Sequence, residues 1–334
     1  MSSERLSHAI AQGGLVLPDG PIAWVGAPAD AGLDGLDPAQ LTVIQRDAMA
    51  HAAWSARGVN VATVLEGEYA AVIVSLARAR DLSEDRIARA ATHAPLVIVE
   101  GAKTDGIEAV LKALKPRVQI DGQVSKAHGK CLWFSPAGAL TDWLRETPVQ
   151  NAHGDWVAPG VFSADAPDEA SVQLARALPP LKGRVADLGA GWGWLSREIL
   201  THEGVKSLHM VESDKTALDC ARLNVTDPRA QFYWADATDW TPPREPGHAT
   251  VAKMDAVVMN PPFHTGRNAD PALGRAFIAN AQAILAPHGH LWLVANRHLP
   301  YETALSDLFR EVSEIAGDNR FKVLHATRPT RPRR

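Results

Sequence analysis

The chain has 334 residues, enough for two domains with cores of their own, and its 46% hydrophobic and 22% charged residues fit a globular protein rather than a disordered or fibrous one. A formal net charge of -4 supplies no global pull toward nucleic acid, so any such contact needs a local patch. Two distant cysteines, Cys131 and Cys220, and the lack of any His-Glu-x-x-His spacing argue against a disulfide framework or a metal centre. The opening Met1–Arg5 is polar, and the most apolar stretch, Tyr69–Ala77, is too short to cross a bilayer. These features lead us to expect a soluble, cytoplasmic protein.

In the first half, short apolar runs at Ile22–Val25, Leu41–Ile44, Val61–Glu66, Ala71–Leu76 and Leu96–Val99 read as strands. Helices are expected from Asp47 to about Arg57, from Asp81 or Ser83 through Ala91, and over Asp105–Leu114. This alternation predicts a doubly wound, mostly parallel sheet, closed by an antiparallel pair at Val118–Ile120 and Cys131–Phe134. Residues 147–159 turn polar and small, and read as a linker.

The second half repeats the alternation. A helix from about Asp168 to Leu178 precedes the strand Arg184–Leu188, which runs into Gly189-Ala190-Gly191-Trp192-Gly193 and a helix beginning at Trp194. Strand, glycine turn and helix together let backbone approach a ligand closely at a helix N-terminus. The next strands end on Glu212, placed for the two hydroxyls of a ribose, and on Asp236, placed for an adenine amine. Met254–Met259 is a fourth strand, stopped by Asn260-Pro261-Pro262-Phe263. A carboxamide oxygen and a proline carbonyl both accept hydrogen bonds from an exocyclic amine, and an aromatic ring stacks on its base. Helices at Arg275–Leu285 and Tyr301–Phe309 and strands at Leu291–Ala295 and Phe321–Ala326 complete the half.

The glycine turn alone serves a nicotinamide cofactor as readily as S-adenosylmethionine. Its Gly-x-Gly-x-Gly spacing and the Asn-Pro-Pro-Phe string one strand on favour the methyl donor. With these residues the chain resembles the class I S-adenosylmethionine-dependent methyltransferases, and more narrowly the ribosomal RNA guanine-N2 methyltransferases of the RsmC type. Gly160-Val161-Phe162-Ser163, Asn260-Pro261-Pro262-Phe263-His264-x-Gly266, Asn296 with Leu299-Pro300-Tyr301, and Phe321-Lys322-Val323 carry the narrower likeness. It departs at Ala190, where many members have Cys, at the bulky Trp192 and Trp194, and at Ala170, where Gly is frequent.

The resemblance implies a catalytic domain over 160–327. S-adenosylmethionine would lie on Phe162, Ser163, Asp187, Gly189, Gly191, Gly193, Glu212, Asp236 and Asn260. Asn260, Pro261 and Phe263 would be catalytic, and Phe263, His264, Gly266, Lys322 and Arg328 would meet a guanine of ribosomal RNA or of a ribosomal subunit. No metal is expected. Residues 328–334 form a basic tail suited to phosphate. Residues 1–146 read as a worn copy of the same fold, for support or RNA docking: Gln45 stands in the place of Glu212, and Ser75-Leu76 in the place of Asn260-Pro261. Methylation of adenine N6 or of a protein glutamine, and a non-catalytic RNA-binding protein with a relic site, are the alternatives.

Overall fold

The structure, a computed structural model, describes residues 3–33, 35–136, 138, 140–244, 251–262, 264–265, 268–269 and 271–330. The chain divides into two units, Met1–Thr147 and Pro148–Arg334.

The first unit runs α1 (Ser3–Gln12), β1 (Ile22–Val25), β2 (Leu41–Ile44), α2 (Ala48–Ala56), β3 (Asn60–Ala62), β4 (Ala71–Ser75), α3 (Arg80–His93), β5 (Val97–Ala102), α4 (Ile107–Leu114), β6 (Gly122–Lys126) and β7 (Gly129–Phe134). Its strands lie in the order β3-β2-β1-β4-β5-β7-β6, parallel as far as β5 and antiparallel beyond. β1 and β4 are buried along their whole length, which is why they read as unbroken apolar runs. α2 starts where the Asp47 side chain accepts the amide of Ala50. The hairpin partner of β7 is Gly122–Lys126, not the expected Val118–Ile120. The two-residue turn at Ala127 and His128, with φ of 46° and 54°, sets that register. Val118 instead closes α4, donating its amide to the Leu114 carbonyl.

The second unit contains β8 (Val149–Gln150), β9 (Trp156–Val157), α5 (Glu169–Ala177), β10 (Gly183–Leu188), α6 (Trp194–Leu200), β11 (Val205–Glu212), α7 (Lys215–Asn224), β12 (Ala230–Trp234), β13 (Met254–Met259), β14 (His264–Thr265), β15 (Asn268–Ala269), α8 (Pro271–Ile284), β16 (Leu285–Asn296), α9 (Tyr301–Leu308), β17 (Phe309–Gly317) and β18 (Phe321–Pro329). Its main sheet is ordered β12-β11-β10-β13-β16-β18-β17, which places strands of corresponding rank in the same order as in the first unit. Apolar cores cover both faces, one including Phe277, Ile278 and Tyr301, the other Leu174, Leu195 and Ile199. The two units also share a detail of register. Gly26 donates its amide to the Ile44 carbonyl at 2.9 Å, and Gly189 donates to the Val211 carbonyl at 2.9 Å.

The stretch expected to be a linker is ordered and belongs mostly to the second unit. β8 and β9 form a hairpin whose turn is held by Asn151, the side-chain oxygen of which accepts the amides of His153 and Asp155. Asn224 on α7 bonds both the amide and the carbonyl of Trp156, and the buried Asp155 pairs with Arg197 of α6 at 2.7 Å. Small polar residues here build hydrogen-bonded turns rather than a tether.

Candidate active site

The carboxyl ends of β10, β11, β12 and β13 bring the glycine turn, Glu212, Asp236 and Asn260 to one edge of the sheet. A cleft there is lined by Phe162, Ser163, Asp168, Ser171, Gly189, Ala190, Gly191, Trp192, Trp194, Leu195 and Asn260. Gly191 has φ of 56°, and a Cβ on it would meet no atom within 4 Å, so the turn presents backbone to open space. Gly193, with φ of 93°, is constrained on the opposite side: a Cβ there would lie 2.9 Å from Val225 Cγ2.

Glu212 is tied to that turn. One carboxylate oxygen accepts the Gly191 amide at 2.8 Å, and the other accepts the Asp214 amide at 2.8 Å. Each oxygen keeps a second lone pair for a ribose hydroxyl. Burial raises its pKa, with the Asp214 and Gly191 amides pulling it back. Asp187 lies inside the sheet, fully buried, and accepts the Ser196 hydroxyl at 2.6 Å. Burial lifts its carboxyl to about 7, the Ser196 hydrogen bond opposing the rise and the charge of Glu212 adding to it. Its Oδ1 has no partner among the described residues. Asp236 folds back on its own loop, Oδ1 accepting both the amide and the hydroxyl of Thr238.

Asn260 is held by two residues of α5 and its cap. Its Nδ2 donates to Asp168 Oδ2 and to Ser171 Oγ, each at 2.8 Å, and its Oδ1 is buried with no partner among the described residues. A carboxylate only accepts, so Asp168 fixes which end of the carboxamide faces it. Among the described residues that oxygen is an unused acceptor, next to the buried Pro261. Trp192 lines the cleft, packs on Val157, Val161 and Cys220 and donates to the Phe162 carbonyl at 3.0 Å. That bond joins the glycine turn to the Phe162–Ser163 segment, in which Phe162 is exposed and Ser163 has φ of 51°.

The substrate residues expected from sequence are not all gathered here. Phe263 and Gly266 lie outside the described residues, and His264 is described only as backbone in β14. Lys322 is buried in β18, and its ammonium bonds Glu302 at 2.5 Å, so it is a strut between β18 and α9 and is not available to a substrate phosphate. Arg328 is at the other end of the sheet. β18 pairs Phe321 with Asn296 and Thr327 with His290, so it leaves the cleft's edge and runs toward the opposite one. Seven residues of strand put Arg328 roughly 20 Å from that edge, where it pairs with Glu311 at 2.9 Å. Sequence reading missed Asp168 and Ser171 as site residues; the capping position of Asp168 ahead of α5 was the only local signal.

An open, doubly wound sheet with a glycine turn, a buried acid and an Asn-Pro-Pro corner at strand ends along one edge defines a class I methyltransferase. The sequence profile of the methyltransferase small domain matches residues 156–325, and the chain belongs to that family, which is S-adenosylmethionine-dependent. It is similar to the ribosomal RNA small subunit methyltransferase C of Shewanella loihica, 28% identical over 240 residues, covering 68% of this chain and 67% of that one. The protein of the same name from Shewanella sediminis is 27% identical over 270 residues, covering 77% of each. Among solved structures, the T. thermophilus 16S rRNA N2 G1207 methyltransferase (RsmC) in complex with AdoMet and guanosine superposes with a TM-score of 0.76. It has 23% identity and covers 98% of this chain and 91% of that one, a likeness of fold.

The cleft fits S-adenosylmethionine on its own evidence. Gly191 faces open space, Glu212 is oriented by two amides with lone pairs to spare, and Asp187 holds a buried oxygen without a partner among the described residues. Among the described residues no group of three or more His, Cys, Asp or Glu is placed to hold a metal ion, and no helix is long and apolar enough to cross a membrane.

Proposed function

We propose that the chain methylates the exocyclic N2 amine of a guanine in small-subunit ribosomal RNA and does so in the cytoplasm. The observation that carries this reading is Asn260 Oδ1, a buried acceptor with no partner among the described residues, on a residue that lines the cleft at the glycine turn. The names of the relatives, and the guanosine bound in the structure of similar fold, support the choice of base and of RNA.

When bound, S-adenosylmethionine supplies an electrophilic methyl on a sulfonium sulfur. Glu212 would hold the ribose and Asp236 the adenine amine, with the glycine turn and the Phe162–Ser163 segment closing on the remainder. An aromatic amine is a poor nucleophile because its lone pair is delocalised into the ring. Asn260 Oδ1 and the Pro261 carbonyl would accept its two hydrogens, drawing the nitrogen toward tetrahedral geometry and freeing the lone pair. Neither group is a strong base, so the proton that the amine sheds on methylation passes to water, and the residues act by positioning and electrostatics, which supply roughly 7–11 kcal/mol when geometry is right. Phe263, outside the described residues, would stack on the flipped base, worth about 1–3 kcal/mol.

The first unit reads as a copy of the second that has lost its chemistry. Supporting this are the shared strand order and the matching glycine-to-strand bonds at Gly26 and Gly189. The pairings of Val25 with Ile44 and Val74, and of Leu188 with Val211 and Met259, align Gln45 with Glu212 and Ser75 with Asn260. Its role would be support or RNA docking.

The test is transfer of labelled methyl from S-adenosylmethionine to small and large ribosomal subunits, followed by nucleoside analysis. Label in N2-methylguanosine of the small subunit supports the reading. Label in N6-methyladenosine or in a protein glutamine overturns it.

A further inference from the structure

We infer that Asp168 is a positioning residue whose carboxylate holds the Asn260 carboxamide by its Nδ2 and leaves Oδ1 as the acceptor, so that the site accepts only a substrate group that donates hydrogen. The inference deepens the reading above and rests on it for its catalytic consequence. An asparagine side chain has two ends of nearly equal size, and nothing in its shape tells them apart. Ser171 Oγ, 2.8 Å from Nδ2, does not choose between them either, because a hydroxyl both donates and accepts. Asp168 Oδ2, also 2.8 Å from Nδ2, does choose: turned round, Asn260 would set oxygen against oxygen. The same Asp168 oxygen accepts the Ser171 amide at 3.0 Å as the cap of α5, so the lock is itself anchored to a helix end.

Free of the lock, Asn260 would offer an N–H to the cleft for part of the time and repel the amine it is meant to hold. Asp168 need not touch the substrate for this. Its place in the fold explains why a residue 92 positions away along the chain governs the Asn-Pro-Pro corner.

Asp168→Ser tests the lock, since Ser is an equally good helix cap and removes only the carboxylate. Two readouts are needed: hydrogen exchange of the Asn260 side-chain amide by NMR, assigned by its absence in Asn260→Ala, and single-turnover methyl transfer to small ribosomal subunits. Exchange should accelerate at least tenfold and transfer should slow at least tenfold. Thermal unfolding should move by no more than a few degrees. Asp168→Asn, which keeps the cap and the shape but can face Asn260 with either end, should fall between wild type and Asp168→Ser in both readouts. Wild-type exchange and transfer in both variants overturn the lock. The exchange arm involves no RNA. Faster exchange in Asp168→Ser, with no transfer by the wild type to either subunit, sinks the substrate reading and leaves the lock standing.

Discussion

Glu212 and Gly191, twenty-one residues apart, meet at 2.8 Å, the carboxylate at the tip of β11 accepting the amide of the glycine turn after β10. The bond makes Glu212 part of the turn, so whatever moves one moves the other, and their geometry is set before any ligand arrives.

Replacing Glu212 with Gln therefore damages more than one contact. The amide nitrogen cannot accept from Gly191 or from Asp214, so one of the two backbone donors loses its partner, and a charged acceptor for the ribose is gone. Hydrogen bonds to charged groups are worth about 1.5–3 kcal/mol, so affinity for S-adenosylhomocysteine should fall about tenfold to a hundredfold. Isothermal titration measures it, and an unchanged dissociation constant would remove Glu212 from the cofactor site.

The hairpin at 149–157 should behave as part of the catalytic unit's fold. Asp155 is buried and its partner Arg197 is half exposed, so Asp155→Ala strands no buried cation but loses a charge-assisted bond. The cost should be about 1–3 kcal/mol in urea unfolding. A stability equal to wild type would show that the segment is a tether.

His209 gives the fold an acid sensitivity with a defined sign. Burial and the charge of Arg184 pull its pKa down to about 4, from 6.5. The folded state keeps the ring neutral, stacked on Tyr233, while the unfolded chain protonates it. Between pH 6.5 and about 4 the unfolded state thus binds more protons, and stability is lost as pH falls through that window, by about 3 kcal/mol in all. Asp187 works the other way. Its carboxyl, raised to about 7, stays protonated in the fold while the unfolded chain ionises near 3.8, so its share of stability is lost as pH rises from about 4 to 7. His209→Phe should isolate the first effect. The stability difference between wild type and variant should shift by about 3 kcal/mol in the variant's favour from pH 7 to pH 4, and a constant difference would contradict the assignment.

The parts of this architecture that were legible in the sequence are those fixed by local pattern. β4 and β13 are buried β-branched runs, and Glu212 and Asn260 end strands at points set by a glycine, an acid or a double proline. What escaped was set by partners distant in the chain or by weak patterning. β17 carries Arg310, Glu311 and Glu314 on an exposed edge, so its alternation is mostly charge and reads as no strand at all. α1 lies outside the β-α alternation that organised the reading. Asp168 is recognisable as a cap, but its bond to Asn260 exists only once α5 packs beside the end of β13. Lys322 and Arg328 read as free cations because Glu302 and Glu311 reach them through the fold, and because strand direction alone carries Arg328 away from the cleft.

The proposed catalysis turns on the Asn260 side chain, and one preparation of Asn260→Ala tests it when donor affinity and methyl transfer to small ribosomal subunits are both measured. Affinity for S-adenosylhomocysteine should remain within about threefold, because the glycine turn and Glu212 are untouched, while single-turnover transfer should drop about 10²-fold or more, the scale set by losing one preorganised group at a reacting centre. Transfer at the wild-type rate, with the donor still bound, would contradict the claim that the Asn260 oxygen receives the substrate amine.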